Sequence, residues 1–380
     1  MNNIKVFWLI SLALGLGLLV YFPGGELARS HVNGKTAVTD HPLTCTNCHL
    51  YITNNEYVSK LVNEDYLSPL NLTMSDDGHH MYVVAQDGDA ILKVDTRSQE
   101  VVATALVGDH PHSAVLDGEK QLLYVSNQWS DNVSVLDAVS LTHLDTLKAG
   151  NGPSGLALSA DKKRLYIVNT FSSSVSVIDI STEKELKRLR VGDDPTSIAI
   201  SREDQILVGS RRAGLSDYGV PLETDLVRID SKYDRVKERV PMTNAYMIEN
   251  ITYTPSSDLA LTTLIRPKNN IPSVQVEGGW MMTHGIGLIE NGGSGKTAQL
   301  LIDEPNSYYP DPFDIVVTPD GKKAFVSSSG VNVISVIAID SLRSLVKNST
   351  QMELDRLAND LDASRSFVIS RIETGAGPKG

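Results

Sequence analysis

Cys45 and Cys48 are the only cysteines in this chain of 380 residues, and both fall in the run Cys45-Thr46-Asn47-Cys48-His49. Thiols three positions apart lie about one helical turn from each other, so both can add to the two vinyl groups on one edge of a haem. The neighbouring His49 then lies beneath the ring with its imidazole placed to coordinate the iron. The spacing predicts a covalent haem c, held through thioethers to Cys45 and Cys48, with His49 as axial ligand. Three other chemistries are open to the same residues. A redox dithiol wants a βαβ setting that is absent here. Zinc needs four ligands, and no second Cys/His pair stands at ligand spacing. A structural disulfide in an oxidising compartment is the third.

The N-terminus points to export. Residues 6–22 (VFWLISLALGLGLLVYF) form an uninterrupted apolar run of 17, with Lys5 before it and the breaker Pro23-Gly24-Gly25 after it. That length is slightly long for the apolar part of a signal peptide and at the short limit for a membrane span. Glu26, two residues before Ala28, spoils the best cleavage site. Residues 1–25 are therefore read as an uncleaved anchor in the inner membrane, with a removed signal peptide as the alternative. Either way the rest is expected in the periplasm or another extracytoplasmic space of a bacterium. A buried core helix would need a polar face elsewhere on the run, and there is none. The net charge of −12 and isoelectric point near 5.2 argue against nucleic acid as a partner and suit a basic redox protein.

Beyond residue 65 the chain settles into a period of 42 residues. Tyr82-Val83, Tyr124-Val125 and Tyr166-Ile167 are spaced by that number, as are Pro111, Pro153 and Pro195. Each unit holds a short apolar strand, a polar turn, a Tyr-Val strand, an alternating strand such as Val175-Ser-Val-Ile-Asp179, and a last short strand. Four short strands in about 42 residues describe an all-β fold, a β-propeller built of four-stranded blades. The phrases Tyr124-Val-Ser-Asn127 and Tyr166-Ile-Val-Asn169 resemble the signature of the YVTN-type β-propeller repeat family. The likeness weakens in the fourth and fifth units and returns at Pro312-Phe-Asp-Ile and Ala324-Phe-Val-Ser. Blades are expected near 65–107, 108–149, 150–191, 192–240, 241–305 and 306–372. The resemblance implies a seventh, whose opening is matched by Gly375-Ala-Gly-Pro378, so the sequence reads as a fragment lacking its C-terminal part. Such propellers are similar to those fused to cytochrome c peroxidase-like domains. The organisation expected is an anchor or signal over 1–25, a haem-attachment segment over 26–64, and a propeller over 65–380. Insertions are expected at 266–310 and, with a helical pattern, at 341–364.

Aligned repeats place one ring of side chains at the mouth of the central channel. The residues after the blade-opening proline, or its equivalent, are Leu70, His112, Ser154, Thr196, Glu249 and Phe313. The next positions hold Asn71, Ser113, Gly155, Ser197, Asn250 and Asp314. His110, His112, Glu249 and Asp314 make this ring the best candidate for a ligand or metal site apart from the haem. The plainer reading is a polar ring that holds water. His284 in the expected 266–310 insertion, with Met281 and Met282 before it, is a candidate iron ligand, as is His41 near the haem motif. His79, His80 and His143 fall in polar turns and read as solvated. Gly292-Gly-Ser-Gly-Lys-Thr297 lacks the first glycine of a phosphate loop, because position 290 is Glu, so ATP is not expected.

Only 21 residues separate His49 from Asn71 in the first blade, too few to wrap a haem in a cytochrome fold. The expected function is electron transfer by an exported c-type haem protein whose propeller is a docking platform. Its partner would be a redox protein or a missing C-terminal haem domain. The alternatives are a periplasmic peroxidase or dehydrogenase with His284 or His112 near its substrate, and a non-redox binding module. Whether the chain is an enzyme is left open by the sequence.

Overall fold

A computed structural model describes residues 67–214, 220–267, 282–290 and 295–379. The haem motif, His41 and the N-terminal apolar run lie outside the described residues. Among the described residues no helix is long and apolar enough to cross a membrane.

The repeat folds as six four-stranded antiparallel sheets, each made of consecutive strands, which is a six-bladed propeller. Blade one is β1 (Pro69–Met74), β2 (His80–Ala85), β3 (Ala90–Asp95) and β4 (Glu100–Leu106). Blade two is β5 (Pro111–Asp117), β6 (Leu122–Asn127), β7 (Asn132–Asp137) and β8 (His143–Lys148). Blade three is β9 (Pro153–Leu158), β10 (Arg164–Asn169), β11 (Ser174–Asp179) and β12 (Lys184–Arg190). Blade four is β13 (Pro195–Ile200), β14 (Gln205–Ser210), β15 (Glu223–Asp230) and β16 (Arg235–Thr243). Blade five is β17 (Ile251–Tyr253), β18 (Leu259–Pro267), β19 (Met282–Glu290) and β20 (Thr297–Leu301). Blade six is β21 (Pro312–Val317), β22 (Lys323–Ser328), β23 (Val333–Ala338) and β24 (Val368–Glu373).

The alternating strands were expected to be half-buried, but Val175, Ser176, Val177 and Ile178 of β11 are buried on both faces. Neighbouring blades cover each sheet from both sides, so even the small polar residues are enclosed and must find hydrogen bonds. The signature asparagine supplies them. Asn127 Nδ2 donates to Asn132 Oδ1 at 2.7 Å and Ser134 Oγ at 2.9 Å. Asn169 Nδ2 donates to Ser176 Oγ at 2.9 Å, while its Oδ1 accepts from the Gly150 amide at 2.9 Å. The signature tyrosine works between blades. Tyr82 Oη donates to Ala138 O at 2.7 Å, and Tyr166 Oη donates to Asp234 Oδ1 at 3.1 Å. Burial pushes the Tyr124 and Tyr166 hydroxyls up to about 12.

Each blade opens on a left-handed residue placed before the first strand: Ser68, His110, Gly152, Asp194, Met247 and Asp311 have φ between 44° and 65°. This residue reverses the chain from the outer strand of one blade to the inner strand of the next, and in all blades but the fifth, where Ile248 follows, proline then fixes the backbone for that strand. The same turn recurs at Gly377, whose amide donates to Asn332 Oδ1 at 3.2 Å much as Gly152 donates to Asp131 Oδ1 at 2.8 Å.

Part of the stretch 266–310, expected to be an insertion, is regular blade. It holds the end of β18, all of β19 and all of β20. Gly285 and Gly287 hide the strand pattern, and packing requires them: a Cβ on Gly285 would lie 2.3 Å from Leu300 O. The helical pattern near 341–364 is real. Helices α1 (Ile339–Asn348) and α2 (Gln351–Leu357) lie between β23 and β24. Leu342, Val346 and Leu354 pack with Ala298 and Leu300 of β20, so the two helices bind blade six to the outer strand of blade five.

Candidate functional site

The inner strands of five blades, and the residues just before β17 in the fifth, line a cavity of about 60 Å³ on the central axis. Its walls include Leu70, Asn71, His112, Glu249, Asn250 and Asp314. Ser154, expected in the ring, is fully buried and instead donates from Oγ to Thr196 O at 3.1 Å. Gly155 takes the place in the cavity wall, where a Cβ would come within 2.7 Å of Thr196 O in the adjoining blade.

The ionisable groups here are held in unusual states. His112 keeps part of its ring at the cavity surface, but its Nδ1 is sealed from solvent with no hydrogen-bond partner. Burial, followed by the charges of Arg211 and His110, pushes its pKa down to about 3, so the imidazole is neutral. Burial raises the Asp314 carboxyl, which accepts from the Ile315 amide at 2.7 Å and from Asn250 Nδ2. Glu249 is paired with Arg211, Nε to Oε2 at 2.7 Å. Among the described residues no three His, Cys, Asp or Glu side chains stand close enough to hold a metal ion.

The other predicted residues lie apart from it. His110, expected in the ring, sits two residues earlier in the turn before β5 and does not line the cavity; it is stacked on Trp129 with ring centroids 4.0 Å apart and planes at 9°. His284 is neither in the axial ring nor in an irregular loop. It is buried in β19, where its amide donates to Asp303 Oδ2 at 2.8 Å and its Nδ1 lies 3.1 Å from the same oxygen. Asp303 Oδ1 accepts from the Tyr309 amide at 2.8 Å, so the pair fastens the strand to the following loop. His79 lies 3.2 Å from Asp77 in an exposed turn, and His143 is exposed at the start of β8. A larger surface hollow of about 730 Å³ lies between blades three and four, lined by Arg190, Arg212, Asp225 and Arg239 among others. It brings together none of the predicted residues, and Arg239 is paired with Asp225 at 3.3 Å.

Sequence reasoning missed the rim aromatics. Trp129 and Phe171 are 65% and 62% exposed, 42 residues apart, and each follows its blade's signature asparagine by two positions. The repeat period itself was the signal that could have found them.

Residues 69–205 match the profile of the YNCE-like beta-propeller family. Over 150 residues, 40% of the chain, the sequence is 32% identical to hydrazine synthase subunit beta of Kuenenia stuttgartiensis. The match spans only 39% of that relative's length. The solved structure of Kuenenia stuttgartiensis hydrazine synthase superimposes with a TM-score of 0.78 at 28% identity, covering 83% of this chain and 89% of that one. Two further structures share the fold alone at 14% identity and TM-scores of 0.52. One is from the mitotic checkpoint complex, covering 68% of this chain and 73% of its own. The other is a functionally unknown protein of Desulfotomaculum acetoxidans DSM 771, covering 78% and 80%.

The chain is thus a β-propeller with likeness to hydrazine synthase subunit beta, with the run Cys45-Thr-Asn-Cys48-His49 before its first blade.

Proposed function

We propose that this chain is an exported c-type haem protein, its propeller the docking platform within a multisubunit redox enzyme. Cys45 and Cys48 would hold the haem through thioethers and His49 would bind its iron. A haem so held would supply one-electron carriage between a donor and an acceptor protein. The CxxCH motif carries this reading, because both cysteines of the chain are used in it. The likeness to hydrazine synthase adds the setting, a propeller subunit among redox partners. The apolar run over 6–22 would keep the protein at the outer face of the inner membrane.

A carrier suits the propeller better than a catalyst built on the predicted histidines. His112 has one ring nitrogen sealed without a partner, and His284 is occupied by Asp303. Expression of the full chain in a bacterium with a haem-maturation system tests the proposal. Haem should remain bound through denaturing electrophoresis and disappear in the Cys45→Ser, Cys48→Ser double variant. A native chain that carries no covalent haem under those conditions sinks it.

A further inference from the structure

We infer that one face of blades one to three is the docking surface for a basic redox protein, with Trp129 and Phe171 as its apolar anchors. This rests on the docking-platform role proposed above. In an antiparallel blade the turn between second and third strands and the blade-opening turn lie at the same end of the strands, so they share a face. In blades one to three these turns are residues 86–89, 107–110, 128–131, 149–152, 170–173 and 191–194. They hold six aspartates, Asp87, Asp89, Asp109, Asp131, Asp193 and Asp194, and no lysine or arginine. The turns of the other face mix Arg97, Lys120, Lys162 and Lys163 with their acids. Positive charge borders the acidic face at the outer strand ends, Lys148 and Arg190, and in blade four at Arg211 and Arg212.

Trp129 and Phe171 hold equivalent places in adjacent blades, and both are mostly exposed. Each ring lies against a left-handed, strand-opening residue. Trp129 stacks on His110, and Phe171 covers Gly152, where a Cβ would come within 2.4 Å of the ring. Their backbones are fixed too: the Trp129 amide donates to Asp109 O at 3.2 Å and the Phe171 amide to Asn151 O at 3.1 Å. The rings are thus set before a partner arrives, and little freedom is lost when one binds. Rigid aromatics of this kind carry most of the binding energy at interfaces. Blade one has Asp87 at the corresponding place and blade four has Arg212, so the aromatic pair belongs to blades two and three alone among these.

The charge selects the partner. Asp87, Asp131 and Asp193 are exposed, and Asp131 is held in place because its Oδ1 accepts the Gly152 amide at 2.8 Å. A patch of fixed carboxylates without nearby ammonium groups attracts a basic surface and repels phosphate. Nucleic acid and an anionic membrane therefore do not fit this face. A protein with lysines around an apolar centre matches both of its parts. The ammonium groups meet the aspartates, and the apolar centre covers the indole and the phenyl ring. Such a contact is small, as suits a redox encounter that must form and part at each transfer.

The test titrates the full chain with cytochrome c, a small lysine-rich redox protein, in a calorimeter. Binding should be present at low ionic strength and weaken about tenfold at physiological salt. Carbodiimide, which joins a carboxylate to an amine, should link the probe through Asp87, Asp109, Asp131 or Asp193 when the peptides are mapped. Trp129→Ala combined with Phe171→Ala should weaken binding about tenfold. Asp87→Asn with Asp193→Asn should weaken it about threefold at low salt. Asp76→Asn with Glu119→Gln, on the other face, should leave it unchanged. No binding at low salt overturns both the surface and the platform role. Links through Asp76, Asp77, Glu119 or Asp161 instead overturn this surface alone, whether or not any variant folds. So does undiminished binding by the folded aromatic variant. Covalent haem is read separately by denaturing electrophoresis, so its absence would overturn the carrier role and not the surface.

Discussion

His110 and His112 stand on either side of Pro111, yet the propeller treats them as different residues. The first is on the rim, stacked on an indole that is mostly in solvent, with its ring nitrogens uncommitted. The second is on the axis, neutral, with one nitrogen sealed beside an Arg211–Glu249 ion pair. A separation of two residues thus carries the chain from an accessible turn into the wall of the axial cavity. In this fold, a residue's place in the blade decides whether its side chain is available for chemistry.

That contrast can be broken most severely by charge. His112→Lys should cost on the order of 3 kcal/mol in urea unfolding, because an ammonium would be enclosed next to Arg211. His110→Lys on the rim should stay within about 0.5 kcal/mol. Equal losses at the two positions would mean the axis is as wet as the rim. Gly155→Ala comes next, at about 2 kcal/mol, since the added methyl meets Thr196 O of the next blade. A neutral result in thermal unfolding would show that the inner strands can spread.

Acid titration sharpens the same contrast. In the folded chain the His112 pKa is pushed down to about 3, below the ordinary value of 6.5. Between those values the unfolded chain binds the proton and the folded chain does not, so stability is full above pH 6.5 and falls toward pH 3. Asp314 works in the other direction: its raised carboxyl favours the fold when protonated, and that contribution is lost as pH rises through the folded value. His112→Asn should therefore flatten the acid side of a urea-midpoint profile, and Asp314→Asn should raise the midpoint at neutral pH. A native profile without a fall below pH 6.5 would contradict the sealed state of His112. The smallest effect is expected at Trp129→Ala, within about 0.5 kcal/mol by chemical unfolding, because the indole is mostly exposed. A loss of several kcal/mol there would make the stack part of the core.

Much of the fold was legible because the repeat is written in residue types with physical jobs. The period of 42, the Tyr-Val strands and the blade-opening prolines each mark a place where the backbone has little choice. Blade five was obscured where Gly285 and Gly287 replace the expected side chains, since tight packing against β20 and β18 removes the alternation that marks a strand. The ring at the axis could be listed by aligning repeats, but its chemistry could not. Whether Asp314 meets Asn250, whether Arg211 reaches Glu249 and whether His284 is taken by Asp303 depend on side chains far apart in sequence.

The sequence by itself determined the spacing of Cys45, Cys48 and His49 on which the proposed haem rests, and the propeller repeat with its strand order. Both are local patterns, set by covalent spacing and by the two-residue period of a strand. Only the tertiary structure decided which polar residues are enclosed and which are open. It closed the axis over His112, fastened His284 to Asp303, and left His110 stacked on Trp129 at the rim. Burial and pairing come from neighbouring blades brought together across many residues, and no local pattern specifies how deep in the assembled sheet a given side chain will lie.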